Sequence, residues 1–562
     1  MSHDPSSDFQ RRLDRRAFLA RAAGTAAAVA VASTLRANPL HALGLVAPRT
    51  AVRSGGAVGA DFELNEVTLD ALAEGLASGR WSSRSLVEAY LARIERVDRG
   101  ERGVNSILEL NPDALTIADA LDAERRARGP RSALHGVPIL VKDNIGTADR
   151  MHTTAGSLAL ADSIAPRDAF VVEKLRAAGC IILGKANMSE WANARGRDAV
   201  GGWSARGGLT RNPYALDRST SGSSSGAAAA VAANLVAAAL GTETMGSIMS
   251  PASLCGVVGL KPTVGLVSRS GVIPVSYTQD SVGPMTRTVR DAALLLSAIA
   301  GPDERDEVTK EARGKVAEDY TRFLDRDGLR GARIGVARNL FGESLMADRV
   351  IEEALTQMRA AGAVLVEDAT IDTVEAIWPF DAEVLSFELK AALNEYLASL
   401  GPSAPVKSLA DVIEFNERHR DRELGWFGQE TFLYAQQKGP LTSPEYQESL
   451  RLVRELARTR GIDATIERHR LDAIVAPTQS PAWLIDMLVG DNTVPLSFVA
   501  PAAAGYPSLS VPAGNVAGLP VGMLFMGPAW SEGTLLKLAY AFEQRTQARR
   551  PPQFMPSIDL DL

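Results

Sequence analysis

Apolar residues recur three and four positions apart in "TLDALAEGLASG" and again in "SSRSLVEAYLARIERVDR". That spacing predicts two amphipathic helices, the second capped by Ser82 or Ser83. The period then changes. "HGVPILVKDNI" reads as a buried strand running into a turn, and "AFVVEKLRAAGCIILGKANM" as a helix, a glycine turn and a strand. From Ala227, "AAAAVAANLVAAALG" is apolar on every side. It predicts a buried helix up to Gly241, too short to cross a bilayer. "GVVGLKPTVGLVSRSGVIP" is strand and turn material, and "TRTVRDAALLLSAIAG" an amphipathic helix. "RIGVAR" and "AVLVEDAT" are short strands around the helix "DRVIEEALTQMRAAG". Residues 374–460 read as helical and polar, with Trp378, Phe380, Phe387, Tyr396, Phe415, Trp426, Phe427, Phe432 and Tyr434 among them. Strand-like "DAIVAPT", "SLSVPAG" and "GLPVGMLFMG" follow, and "TLLKLAYAFEQRTQ" closes the pattern as a helix. Strands and helices alternate without an internal repeat or a linker after residue 60, which predicts one α/β domain.

Composition changes this picture little. The chain is 46% hydrophobic and 23% charged, ordinary values for a folded globular protein. The net charge of −7, with no dense Lys/Arg run in the body of the chain, argues against a nucleic-acid partner. The N-terminus adds more. Arg11, Arg12, Arg15 and Arg16 precede an Ala/Val stretch and then small residues, the layout of an export signal. Asp14 followed by Arg15-Arg16-Ala17-Phe18-Leu19 reads as a twin-arginine core. The apolar run at residues 23–31 is too short to span a bilayer, so stable membrane insertion is not expected once the signal is removed. The expected organisation is a signal over 1–42, cleaved near residues 37–42, a tether over 43–60, a catalytic domain over 61–552 and a tail over 553–562. The expected location is periplasmic or extracellular. Removing the signal leaves a net charge of −10. The two cysteines, Cys180 and Cys255, sit in apolar or glycine-rich surroundings and read as buried thiols. A lipoprotein anchor would need a cysteine at the cleavage site.

The richest candidate for chemistry is "STSGSSSGAAAAVAA" at residues 219–233. Gly222-Ser223-Ser224-Ser225-Gly226 matches G-x-S-x-G, the nucleophile elbow of α/β-hydrolases. The elbow needs a strand before Ser224 and a histidine after it. Before it stands the polar "RNPYALDRSTSG", and the downstream histidines, His419 and His469, lie in charged helical surroundings. No HExxH or Cys/His cluster suggests a metal. A hydrolase without these still needs a base, and a lysine serves if burial disfavours its charged form. Lys142 ends the apolar run at residues 137–141. The alternative for Lys142 is a strand-end lysine paired with Asp143.

"GVPILVKDNIGT", "GKANMSEWAN", "NPYALDRSTSGSSSGAAAAVAA", "GTETMGSIMSPASLCGVVGLKPT" and "SVGPMTRTVRDAA" occur in this order. With the C-terminal "AGYPSLSVPAGNVAGLPVGM" and "EGTLLKLAYAFEQ", they give a sequence that resembles the amidase signature family of amide hydrolases over residues 62–549. The resemblance implies one large α/β domain, a mixed twisted β-sheet core covered by helices on both faces. It implies a Ser-cisSer-Lys triad with Ser247 as nucleophile, Ser223 as the bridging serine after a cis peptide bond and Lys142 as base. It also implies an acyl-enzyme and needs no cofactor or metal. Ser247 follows Ser223 by 24 residues, the family's usual spacing. The oxyanion hole matches the backbone amides of Thr244, Met245 and Gly246, with that of Ser247. The chain departs from the common G-T-D-x-G-G-S-I-R pattern at Glu243, Met245 and Met249. The usual acid–arginine pairing is therefore expected to be absent, and Met245 to narrow or line the site. Ser225 replaces a glycine and requires a negative φ. Ser224 is expected to hydrogen-bond near Lys142, and Ser225 to have no catalytic role.

In this family the variable helical region shapes the acyl site, so the pocket wall is placed at residues 374–434. "GWFGQE" is the expected contact, with Trp426, Phe427 and Gln429, joined by Trp483 and Phe498 and by Met245. These residues point to a hydrophobic or aryl acyl group. The expected protein is an exported amidase acting on a small linear amide, with esters as side substrates. The alternatives are a glutamine amidotransferase subunit for charged tRNA, which an export signal opposes, and an exported solute-binding protein. The latter would not need Lys142, Ser223 and Ser247 together. The oligomeric state stays open, a homodimer included.

Overall fold

A computed structural model describes residues 62–100, 102–402, 404–492 and 497–559. The expected export signal and tether lie outside the described residues. Strands form at β1 (Ile107–Leu110), β2 (Pro138–Lys142), β3 (Ile181–Ala186), β4 (Trp203–Ser204), β5 (Gly208–Leu209), β6 (Ala238–Glu243), β7 (Val258–Lys261) and β8 (Ser281–Thr286). They continue with β9 (Arg333–Val336), β10 (Val364–Val366), β11 (Ala473–Pro477), β12 (Ser508–Val516) and β13 (Leu519–Met526). Eleven of them make one mixed sheet in the order β1-β3-β2-β6-β8-β7-β12-β13-β11-β9-β10, while β4 and β5 pair separately. Strands β3, β2 and β6 run parallel, as do β11, β9 and β10, and the pairs between these blocks are antiparallel.

Side chains alternate between the two faces of a sheet, so a strand buried at every position is covered on both sides. Strands β2, β3, β6, β7, β8, β11 and β13 are buried throughout. This is the large mixed-sheet α/β domain that the motifs implied. Helix starts follow the capping chemistry. In Ser83–Val97, Ser82 Oγ accepts from the Ser85 amide at 3.0 Å, and Ser85 Oγ accepts from the Ser82 amide at 2.9 Å. No described helix is long and apolar enough to cross a membrane.

The alanine-rich run is the main correction. It is not one helix. The helix Ser225–Ala232 stops at a turn in which Asn234 has φ +58°, and the chain re-emerges as β6 in the middle of the sheet. An all-apolar run fits a buried helix and a strand buried on both faces equally well. Asparagine tolerates the left-handed conformation that breaks the helix.

The region 374–460 is helical as expected. It opens with the long helix Val374–Ser399, followed by Leu409–Arg418, Arg420–Glu423, Glu430–Gln436 and Pro444–Arg454. The long helix buries two carboxylates, Asp381 and Glu388.

Candidate active site

Lys142 is the last residue of β2, flanked in parallel by β3 and β6. Its side chain is fully buried. Nζ lies 2.7 Å from Ser223 Oγ, 2.9 Å from Thr242 Oγ1 and 3.2 Å from the Thr242 carbonyl. Burial pushes the amine down to about 7, against the opposing pull of the Asp280 and Glu243 carboxylates. Asp143 is not its partner. That carboxylate accepts from Thr154 Oγ1 and from the Gly156 amide, and sits 3.6 Å from Arg206.

The serine loop wraps around this lysine. The Gly222–Ser223 peptide bond is cis. A Cβ on Gly222 would overlap Ser189 Oγ, so the close approach demands glycine. Ser223 is fully buried, and its carbonyl accepts from the Ser189 amide at 3.1 Å. Ser224, the centre of G-x-S-x-G, is fully engaged. Its Oγ donates to the Thr242 carbonyl at 2.9 Å and accepts from the Thr242 amide at 3.2 Å. Its amide donates to the Ser247 carbonyl at 3.1 Å. Ser225 takes a helical φ and bonds back to the Ser221 carbonyl at 2.7 Å. Thr242 is thus shared by Lys142 and Ser224, which fixes the serine loop to β6.

After β6 the chain turns through residues 244–247 into the helix Met249–Leu254. Ser247 retains 7% of its surface. Gly246 has φ +75°, and a Cβ there would run into the Phe498 ring. Met245 is half-buried against the core. Glu243 takes the place of the expected aspartate, and its Oε2 accepts from the amides of Ile248 at 2.7 Å and Met249 at 2.9 Å. Orphan amides at a helix start thus serve as the partners of this carboxylate. Thr244 Oγ1 donates to Asp280 Oδ1 at 2.6 Å.

Two small cavities open beside these residues. Both are lined by Asn144, Ala192, Ile273 and Val275. One adds Thr242, Thr244 and Asp280, the other Met188, Trp191 and Leu389. Asn144 Nδ2 donates to Thr242 Oγ1 at 3.1 Å, next to Lys142. Of the expected wall residues, Met245 and Phe498 stand at the turn beside Ser247, and Leu389 of the expected wall region lines one cavity. Trp426 is 51% exposed. Phe427 packs edge-on to Trp203 at 5.1 Å beneath the Arg195 guanidinium at 4.1 Å. Gln429 is buried, its side chain spent on Asn416, Glu417 and the Ile413 carbonyl. Trp483 donates to Asp491 at 2.9 Å. None of these four lines either cavity. Sequence reasoning missed Asn144, Ile273 and Asp280. A signal existed for Asn144, which falls two residues after Lys142 in "VKDNI".

The chain and its fold have counterparts among known proteins. The model of the family described as Amidase matches residues 85–536, so the chain belongs to the amidase signature family of carbon–nitrogen hydrolases. It is similar to the solved structure of native peptide amidase from Stenotrophomonas maltophilia, with 49% identity and a TM-score of 0.84, over 88% of this chain and 99% of that one. A probable amidase of Arabidopsis thaliana is 42% identical over 503 residues, 88% of this chain and 93% of its own length. A glutamyl-tRNA(Gln) amidotransferase subunit from Acinetobacter baumannii is 36% identical over 497 residues, 86% of this chain and 97% of its own.

Proposed function

We propose that the protein hydrolyses linear carboxamides through an acyl-enzyme on Ser247, with Ser223 and Lys142 as its proton relay. The observation that carries this reading is the contact of a fully buried Lys142 amine with Ser223 Oγ at 2.7 Å. A neutral amine has two N–H bonds and one lone pair. The two acceptors on Thr242 take the N–H bonds, which leaves the lone pair for the Ser223 hydroxyl proton. Ser223 in turn takes the proton of Ser247, whose oxygen attacks the amide carbon. Negative charge develops on the carbonyl oxygen, where the amides of residues 244–247 receive it. As the C–N bond breaks, the proton returns through Ser223 to the leaving nitrogen. Water repeats the sequence on the ester and frees the acid.

For the substrate we favour an amide with a hydrophobic or aryl acyl part, and the C-terminal amide of a peptide above all. The similarity to a peptide amidase supports this choice, as does the apolar lining of Met188, Trp191, Ile273 and Leu389. The lower identity to an amidotransferase subunit makes transamidation the second reading. The Arg15-Arg16 segment supports export to the periplasm or beyond, which fractionation of the native host's cells would test. The test of the chemistry is turnover of amidated peptides, anilides and primary amides by the wild type and by Ser247→Ala. The variant is expected to be inactive, and persistent turnover would remove Ser247 as nucleophile.

A further inference from the structure

Residues 273–280 form a loop held from two sides. On one side stands the helix Val374–Ser399. Its Glu388 accepts from Ser276 Oγ, from the Thr278 amide at 3.1 Å and from Thr278 Oγ1 at 3.0 Å, and its Asp381 accepts from Gln279 Nε2. On the other side, Asp280 Oδ2 accepts from the amides of Val275 at 2.7 Å and Ser276 at 2.9 Å. Its other oxygen, Oδ1, accepts from Thr244 Oγ1 at 2.6 Å. Burial pushes Asp280 up, and the three donors that converge on it pull the other way, favouring the carboxylate form. Arg269 supplies a nearby positive charge, itself bonded to Asp306 at 2.7 Å.

We propose that Asp280 is a positioning residue, whose carboxylate fixes Thr244 and so aims the amides of residues 244–246, linking them to the helix Val374–Ser399. The inference rests on the Ser247 reading. Donors that stabilise a developing charge work only if they are held in place before the charge appears. Thr244 to Asp280 is the side-chain tether at the start of this turn, while the Glu243 carboxylate holds its far end through the amides of Ile248 and Met249. The Asp280 carboxylate also shapes the loop that lines both cavities, so the pocket wall and the donors share one anchor. A substrate that displaces residues 273–275 therefore acts on the donors as well.

The test compares Thr244→Val, Thr244→Ser and Asp280→Asn with the wild type on one amidated peptide, with Ser247→Ala alongside. Thr244→Val is expected to lower kcat about tenfold, the size of one lost hydrogen bond to a charged group, with KM little changed. Thr244→Ser keeps the hydroxyl and restores most of the loss. Asp280→Asn is expected to lower kcat and to move the acid limb of kcat/KM to lower pH. The charged groups facing Lys142 are Asp280 and Glu243, and removing the first disfavours the protonated amine. A role in stability alone would not move that limb. Unchanged kcat in Thr244→Val, or an unmoved limb in Asp280→Asn, overturns the proposal. If Asp280→Asn fails to fold, the two Thr244 variants decide. Turnover by Ser247→Ala would instead sink the reading of the site, whatever Asp280 does.

Discussion

At the scale of single residues, the buried lysines set the terms. Lys142, Lys185 and Lys261 are all fully buried, and burial lowers them to about 7, 8 and 8. Lys261 points at the Tyr506 carbonyl at 2.8 Å, and Lys185 at the Ile145 carbonyl and Thr153 Oγ1. Lys142 differs in reaching a serine whose neighbour is bonded to Ser247. Its chemistry makes two predictions. If Lys142 is the base, kcat/KM rises with the neutral fraction of the amine and levels off above about pH 7. A flat profile through neutrality would remove it from that role. The second concerns folding. The native value, about 7, lies below the ordinary 10.5, so between them the unfolded chain binds more protons. The stability penalty is thus full below about pH 7 and fades as pH rises toward 10.5. Lys142→Met is therefore expected to gain stability at acid pH, by a few kcal/mol, and to lose that advantage at alkaline pH. Denaturant unfolding at both pH values checks it, and an equal effect at both would contradict it.

At the scale of elements, the strand-end position of Lys142 and the loop character before Ser224 were legible in sequence, because an apolar run ending in lysine and a polar Asn/Pro/Asp stretch each have one physical reading. The alanine-rich run was not. Alanine buries on any side, so periodicity is silent there, and the break depends on one residue, Asn234. Glu243 was legible as a departure but not in its effect. That its carboxylate would cap the helix Met249–Leu254 depends on the turn geometry. The same turn gives a prediction. Gly246→Ala places a methyl group against the Phe498 ring at a left-handed φ. It is expected to cost about 1–2 kcal/mol from the backbone alone and more from the overlap. Activity should fall further than stability, because the displaced amides are the proposed donors. Wild-type kcat in a folded Gly246→Ala would show that the turn tolerates the shift.

At the scale of the whole molecule, distant segments meet around the site, and this is where sequence said least. Of the expected wall region, Phe427 packs against Trp203 and Arg195, while Leu389 lines a cavity. The cavity lining is drawn from residues 144 to 389, and no local pattern marks such an assembly. One buried ion group holds the segments together. Arg195 bridges Glu190 at 2.5 Å and Glu423 at 3.2 Å, and Glu423 also accepts from the Leu158 amide at 2.8 Å. Burial and the neighbouring Glu423 push Glu190 well above the usual carboxylate range, against the pull of Arg195. Arg195→Met leaves two carboxylates buried without their cation. It is expected to destabilise the protein by about 3–5 kcal/mol, measured by denaturant unfolding. Adding Glu190→Gln and Glu423→Gln should recover part of this, and no recovery would mean that packing under Phe427 dominates instead.

The ring on Gly246 also orders events in time. Lys142, Ser223 and Ser247 are all synthesised within the first half of the chain, but Phe498 comes 252 residues after Gly246. A growing chain thus carries the three side chains of the proposed relay long before the ring that packs on the turn beside Ser247. On the proposed reading, the turn beside Ser247 is complete only once most of the chain has been made.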